Sequence, residues 1–140
     1  MVGDEVRIDD QVSPDDELTV VRGLRSFNEA WIGPSNETAL KLVARDEEGI
    51  VGGLIGHTRW SWLYVAKLWV HERARGRGLG TRLLSEAENI ARSRGCTDAS
   101  LDTFEYQARP FYEKLGYQLF GTLDGYPPGY RQFYLRKSLR

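Results

Sequence analysis

The stretch Ala66-Lys67-Leu68-Trp69-Val70, with the turn Arg73-Ala74-Arg75-Gly76-Arg77-Gly78-Leu79-Gly80 after it, decides the fold of this chain. The apolar run predicts a β-strand, and the glycine-rich turn leads into a segment with helical spacing. A helix N-terminus leaves four backbone N–H groups without intrahelical partners and carries a partial positive charge. No Asp, Asn or Ser precedes this helix to cap it, although Thr81 is placed to do so from slightly inside. We therefore interpret the turn as a phosphate-binding site, with a solvated surface turn as the alternative.

The composition places the chain among single-domain globular proteins. At 140 residues it is long enough for one domain, which we expect to span residues 1–140. Hydrophobic residues make up 41% and charged residues 28%, and the net charge of −1 argues against bulk binding to nucleic acid. The arginines are nevertheless concentrated at the glycine turn, where they predict a focused positive site: Arg73, Arg75, Arg77 and Arg82.

The scarcity of cysteine and histidine excludes other classes of site. Cys96 is the only cysteine, so an intramolecular disulfide is excluded. His57 and His71 have no cysteine or carboxylate at metal-ligand spacing, and we expect no metal site. No apolar run approaches the ~18 residues of a membrane span, and the acidic start lacks the features of a signal peptide. A cytoplasmic location without membrane contact is the resulting expectation.

The first half of the chain predicts a helix and antiparallel strands. Ser13 and Pro14 are typical of a helix start, and this helix is expected to run to about Ala30. The other predicted elements are strands at residues 6–8, 39–44, 50–56 and 62–70, with a four-residue hairpin loop at residues 46–49. Glycines at 52, 53 and 56 predict close backbone approach or a bulge in the second hairpin strand.

The second half predicts a strand, helix, strand unit. The helix after the glycine turn is expected to end at Gly95, and residues 99–103 form the next strand. Such a crossover implies a parallel pair of strands. A short helix at residues 108–115 and two strands at residues 118–123 and 131–135 complete the predicted elements.

Three common catalytic motifs are missing. A serine-nucleophile elbow requires Gly-x-Ser-x-Gly, which does not occur in the chain. A phosphate-transfer loop requires a lysine after its last glycine, but Thr81 follows Gly80 directly. The even spacing of Gly76, Gly78 and Gly80 also differs from the dinucleotide-binding fingerprint.

Two motifs carry a resemblance to a known family. Arg75-x-x-Gly78-x-Gly80 resembles the acetyl-CoA motif Arg/Gln-x-x-Gly-x-Gly/Ala of the GNAT superfamily of N-acetyltransferases. Ala108-x-x-Phe111-Tyr112-x-Lys114-x-Gly116-Tyr117 is similar to the stretch in the last helix of that family. The motifs lie about 30 residues apart, each in the predicted strand or helix context, and together are far more specific than either alone. With the order of elements, the resemblance covers nearly the whole chain.

The resemblance implies a mixed α/β (α+β) fold. It consists of a single GNAT-like domain whose central sheet is mostly antiparallel, with a parallel pair at the CoA cleft and helices on both faces. The cofactor-binding residues implied by the family are the strand residues Leu68, Trp69 and Val70 for the pantetheine arm, the amides of Arg75, Gly76, Arg77, Gly78, Leu79, Gly80 and Thr81 for the pyrophosphate, and Phe111 and Lys114.

The same resemblance implies transfer of an acetyl group from acetyl-CoA to a primary amine of a small molecule or protein by direct attack. Tyr112 is expected to lie by the CoA sulfur and act as the general acid, although a packed aromatic is the alternative. Glu105 is our prediction for the base, with Asp102 and His57 as weaker candidates. An amine that arrives neutral would need no base. A catalytically inactive acyl-CoA sensor of the same fold is the competing function, and a homodimer is a further expectation.

Overall fold

The structure, a computed structural model, describes residues 5–140 in two compact units, with the boundary between Ser35 and Asn36. The first unit contains helix α1, Pro14–Ile32. The Ser13 hydroxyl accepts a 3.1 Å hydrogen bond from the Asp16 amide, and the Asp16 carboxylate accepts one of 3.0 Å from the Ser13 amide. This reciprocal cap and Pro14 in the first turn confirm the predicted helix start.

The predicted first strand at residues 6–8 is wrong. These residues have no regular secondary structure, and Val6 and Ile8 are 86% and 93% exposed. A strand requires a hydrogen-bonded neighbour, and residues 6–8 take no place in the six-stranded sheet of the described chain.

The second unit is built on one mixed sheet. Its strands, in chain order, are β1 Thr38–Asp46, β2 Gly49–Arg59, β3 Trp62–Val70, β4 Asp98–Phe104, β5 Gln118–Asp124 and β6 Arg131–Ser138. They lie in the order β1-β2-β3-β4-β6-β5, and β3 and β4 are parallel whereas the other neighbours are antiparallel. The predicted mostly antiparallel sheet with one parallel pair is thereby confirmed.

The helices of this unit follow the predicted order. A 3-10 turn spans Glu72–Ala74, α2 spans Leu79–Ser93, and α3 spans Arg109–Lys114. Gly95 lies just beyond the end of α2 with a φ of +86°, and its amide donates to the carbonyl of Arg92. A left-handed residue at this point suits glycine, which explains why the helix ends there.

The hairpin between β1 and β2 is tighter than the predicted four-residue loop. Asp46 and Gly49 pair with each other, so only residues 47 and 48 lie between the strands. The Asp46 carboxylate accepts a 2.8 Å hydrogen bond from the Glu48 amide, and Gly49 has a φ of +127°. This local side-chain bond closes the turn and lengthens both strands.

A β-bulge in β3 opens the centre of the sheet. Ile55 pairs with Lys67 but Gly56 pairs with Val65, so Ala66 is the extra residue. A side chain on Gly56 would collide with the carbonyl oxygen of Tyr64, which explains the glycine opposite the bulge. The parallel pairing between β3 and β4 ends at Val65 and Leu101. Beyond the bulge, residues 66–70 therefore face a gap rather than β4.

The hydrophobic core of the second unit lies between α2, α3 and the sheet. Buried α2 residues Leu84, Ala87 and Ala91 belong to one cluster with Leu54 of β2 and Leu135 of β6. Their helical spacing matches the apolar face predicted for this helix. Among residues 5–140, no helix is long and apolar enough to cross a membrane.

Candidate active site

The N-terminus of α2 has no side-chain cap. Its N-cap is Gly78, which has a φ of +77° and no side chain to cap the helix. The amides of Leu79, Gly80 and Thr81 fall in the first turn, where α-helices leave the N–H groups without intrahelical partners. Gly76 also has a positive φ, +79°, and a Cβ at Gly76 or Gly78 would meet no protein atom within 4 Å. The turn thus presents its backbone to open space.

Two arginines hold this turn in place. Nε of Arg75 donates a 3.0 Å hydrogen bond to the carbonyl oxygen of Val70, the last residue of β3. Arg73 forms ion pairs with Asp46 at 3.2 Å and Glu48 at 3.1 Å in the β1–β2 hairpin. Hydrogen bonding to Arg73 holds the pKa of the Asp46 carboxyl below its ordinary value. The turn is therefore tied to both neighbouring strands.

A cleft of about 530 Å³ joins the turn to the open edge of β3 and to α3. Most of the residues that the sequence predicts for cofactor binding line it together: Leu68, Trp69, Val70, Arg75, Gly76, Gly78, Leu79, Gly80, Thr81 and Phe111. Arg77 instead lines a neighbouring groove with Arg45 and Arg82. Lys114 is the last residue of α3 and is not among the lining residues.

Two lining residues were missed by the sequence reasoning, Ala74 and Ala108. Both belong to the motifs quoted above, Ala74 to the glycine turn and Ala108 to the first position of the second motif. The small size of their side chains could have identified them, because a cleft that admits a long ligand needs small residues on its walls.

Tyr112 lies in the same cleft with a constrained ring and an open hydroxyl. The residue is 9% exposed. The centre of its ring lies 5.1 Å from that of Phe111 and 6.1 Å from that of Tyr117. Within residues 5–140 the hydroxyl makes no hydrogen bond to another protein group. Burial, and secondarily the charge of Asp102, raises the pKa of the phenol. Tyr112 therefore keeps a protonated phenol on the wall of the cleft.

A second cavity, of about 300 Å³, continues from the cleft toward β4. The two spaces share Leu68, Ala108 and Tyr112 as walls, and Asp102 contributes a carboxylate to the second one. The Tyr64 hydroxyl donates to Asp102 Oδ1 at 2.7 Å. A ligand that passes Tyr112 thus reaches a carboxylate on the far side.

Glu105 and His57 lie outside both sets of lining residues. Glu105 pairs with Arg131 at 2.7 Å, and both of its hydrogen bonds from that guanidinium end on Oε2. The His57 ring packs against the Tyr64 ring, with 5.5 Å between the ring centres. In the part of the chain that the structure describes, no three His, Cys, Asp or Glu side chains are grouped to hold a metal ion.

Comparisons with known proteins find a matching family and several similar chains. The model of the acetyltransferase (GNAT) family matches residues 8–117. A blasticidin-S acetyltransferase of Streptomyces morookaense is 45% identical over 91 residues, which are 64% of this chain and 67% of that protein. An acetyltransferase of Agrobacterium fabrum is 36% identical over 93% of this chain and 96% of its own. The crystal structure of an acetyltransferase from Bacillus cereus superposes with a TM-score of 0.85 at 30% identity, covering 94% of this chain and 97% of that one.

Proposed function

Because the chain belongs to the GNAT family of acetyltransferases, we propose that it moves an acetyl group from acetyl-CoA to the primary amine of a small molecule. The observation that carries the proposal is the single cleft that joins an uncapped helix N-terminus, an open strand edge and the Tyr112 hydroxyl. Each of the three suits one part of the donor: the pyrophosphate, the pantetheine arm and the thioester.

The donor would be held mainly by backbone groups. The first-turn amides of α2 and the N-terminal end of the helix dipole attract the pyrophosphate. Leu68, Trp69 and Val70 pair with β2 on one side only, so their other edge is available to the pantetheine amides, as when a peptide adds a strand to a sheet. Backbone recognition of this kind fixes the direction in which the thioester lies, with its sulfur toward Tyr112.

The transfer itself requires three groups. The lone pair of the neutral amine forms a bond to the thioester carbonyl carbon, and a backbone N–H of β3 stabilises the negative charge on the oxygen. The carbon–sulfur bond then breaks, and Tyr112 donates its hydroxyl proton to the departing sulfur. The nitrogen releases one proton to a base through water, and the phenol regains its proton from solvent. The products are the acetylated amine and the CoA thiol.

Glu105 stays our prediction for the base that accepts the nitrogen's proton, acting through water. Its Oε1 receives neither of the two hydrogen bonds from Arg131, which leaves an oxygen for such a water. E105Q should then lower kcat with little change in the KM of acetyl-CoA. An unchanged kcat would remove the base from the mechanism and favour an amine that arrives neutral.

The acceptor is proposed to be small because the S. morookaense relative is named for a small-molecule substrate. The end of β4, the loop after it and the loop between β5 and β6 also carry a group of contacting aromatic rings, with centroid distances from 5.2 to 5.8 Å: Phe104, Tyr106, Tyr126 and Tyr130. Such rings bind organic cations and flat groups. It stays a prediction that a protein amino group can be the acceptor. That the chain forms a homodimer and lies in the cytoplasm also stay predictions.

The test combines acetyl-CoA with an amine panel of blasticidin S, tyramine, spermidine and a short peptide with a free N-terminus. CoA thiol release and the mass of the acetylated amine are followed together. Burial raises the pKa of the Cys96 thiol, which keeps the protein's own background with a thiol reagent low. Thiol release with one small amine supports the proposal. Tight CoA binding without release on any amine favours the sensor instead.

A further inference from the structure

We propose that Asp102 is the acceptor-binding residue of this enzyme and that its carboxylate receives a cationic amine as the ammonium ion, which then releases one proton through water so that the neutral amine attacks the thioester. The proposal rests on the acetyltransferase function proposed above and names the class of acceptor for the same site. Asp102 lies in β4, on the wall of the cavity that shares Leu68, Ala108 and Tyr112 with the donor cleft. An amine held by Asp102 and a thioester held beside Tyr112 would therefore occupy one continuous space.

The carboxylate of Asp102 is fixed by neutral hydrogen-bond donors. Oδ1 accepts from the Tyr64 hydroxyl at 2.7 Å, and Oδ2 accepts from Nε2 of Gln132 at 2.9 Å. Gln132 is only 7% exposed and is itself held by the Tyr134 hydroxyl, which donates to its Oε1 at 2.8 Å. Each carboxylate oxygen can accept two hydrogen bonds, so one position on each oxygen remains for a ligand.

Among the acidic side chains of the sheet unit that are not exposed, Asp102 differs from the other two because it has no cationic partner. Glu88 pairs with Lys137, and Asp98 with Arg136. In residues 5–140, Asp102 has no ion pair within 4.0 Å, and its hydrogen bonds come from a phenol and an amide. A partly buried carboxylate with only neutral partners gains most from a cation that enters its cavity.

The charged and titratable groups in this cavity and beside the Asp102 carboxylate fit the assignment. Lys67 of β3 lines the same space, but its side chain is exposed and makes no ion pair with Asp102. His57 reaches the network through its contact with the Tyr64 ring. Burial and the hydrogen bond to Asp102 raise the pKa of Tyr64 to about 12, so the phenol remains a donor through the neutral range.

The experiment compares D102N with D98N, a matched change on the same strand. D102N keeps the size and most hydrogen bonds of the side chain but removes its charge. Two acceptors are used near pH 7: tyramine, whose alkyl amine is a cation, and 4-aminophenol, whose aryl amine is neutral. We expect D102N to raise the KM of tyramine at least about tenfold and that of 4-aminophenol less than twofold. D98N should change neither, and CoA affinity should be retained in both variants.

A selective loss of the cationic acceptor supports the proposal, because a merely structural role would affect both amines alike. Equal losses for tyramine and 4-aminophenol, or no loss for either, would overturn it. If D102N does not fold by circular dichroism, Y64F replaces it, since loss of the positioning hydroxyl should also raise the KM of tyramine selectively.

Failure of the proposed function would look different. If the wild type releases no thiol with either amine, calorimetry measures tyramine binding to the CoA-bound protein. Binding that is lost in D102N then supports the Asp102 site without catalysis. Binding that is equal in both proteins, or absent from the wild type, overturns it.

Discussion

Arg75 and Val70 join the glycine turn to the end of β3, because the guanidinium Nε of Arg75 donates a 3.0 Å hydrogen bond to the carbonyl oxygen of Val70. The amides proposed to hold pyrophosphate and the strand edge proposed to hold pantetheine are therefore fixed to each other. We expect R75A to lower acetyl-CoA affinity about tenfold, measured by calorimetry, because one charge-assisted hydrogen bond to backbone is lost. R59A, which removes an exposed arginine that pairs with Glu37 at 3.6 Å and lies 5.3 Å from the centre of the Trp60 ring, is the control and should keep wild-type affinity. Equal affinities for wild type and R75A would contradict this role.

Gly80 allows α2 to pack closely against α3. A Cβ at Gly80 would lie 3.2 Å from the Cζ atom of the Phe111 ring, on the wall of the donor cleft. We expect Gly80→Val to abolish detectable CoA binding, because the larger side chain displaces that ring or fills the cleft. Gly23→Ala in α1 is the control, since no atom lies within 4 Å of a Cβ there, and alanine should stabilise the helix by up to about 1 kcal/mol. Retained CoA binding by Gly80→Val would refute the packing argument.

Tyr112→Phe separates catalysis from binding. The change keeps the ring contacts with Phe111 and Tyr117 but removes the hydroxyl that faces the cleft. We expect kcat to fall about 100-fold, the lower range for a general acid, while CoA affinity changes less than twofold. Steady-state kinetics and calorimetry measure the two effects. A fall in affinity with unchanged turnover would assign Tyr112 a packing role.

Glu88 carries a buried charge that holds α2 to β6 and to Tyr117, three residues after the end of α3. It is 5% exposed, accepts a 2.8 Å hydrogen bond from the Tyr117 hydroxyl and pairs with Lys137 at 2.9 Å. We expect E88Q to lower the free energy of unfolding by about 2 kcal/mol, because Lys137 loses its countercharge inside the protein. E86Q, an exposed change on the same helix, should alter it by less than about 0.5 kcal/mol. Urea denaturation measures both, and equal effects would refute the argument.

The raised pKa of Tyr64 predicts that the folded state loses stability at alkaline pH. Its phenol has a pKa of about 12 in the folded protein, raised by burial and by Asp102, against about 10 in an unfolded chain. Its contribution to stability is therefore complete below pH 10 and declines as the pH rises toward 12, since only the unfolded chain ionises in that window. We expect the free energy of unfolding to fall less in Y64F than in the wild type over this range. Parallel pH profiles for the two proteins would contradict the assignment.

The elements around the glycine turn could be predicted because their signals are local. The strand at residues 62–70 has its predicted bounds, and α2 begins inside the turn where the apolar spacing changes. Both follow from residues within a few positions of each other: Gly76 and Gly78 favour a turn, and Leu83 and Leu84 favour a buried helix face.

The features that sequence could not supply depend on distant partners. Residues 6–8 have the composition of a strand but no place in the sheet. Gly56 signals a close approach, yet only the fold shows that Ala66 is the bulged residue opposite it. Asp102 was a weaker candidate because its partners, Tyr64 and Gln132, lie 38 and 30 residues away in the chain. The ion pair of Glu105 with Arg131 has no local sequence signal, because Arg131 comes 26 residues later.

The parallel pairing of β3 with β4 ends at Val65 and Leu101, and a gap between the two strands follows. A ligand bound in this gap would therefore affect the stability of the sheet. The β1-β2-β3 half and the β4-β6-β5 half share only the four residue pairs from Trp62–Asp98 to Val65–Leu101. A molecule that hydrogen-bonds to residues 66–70 becomes a temporary strand between the halves. Since a ligand bound only by the folded state shifts unfolding in proportion to the logarithm of its concentration, the resistance of this protein to heat would rise and fall with the supply of its own donor.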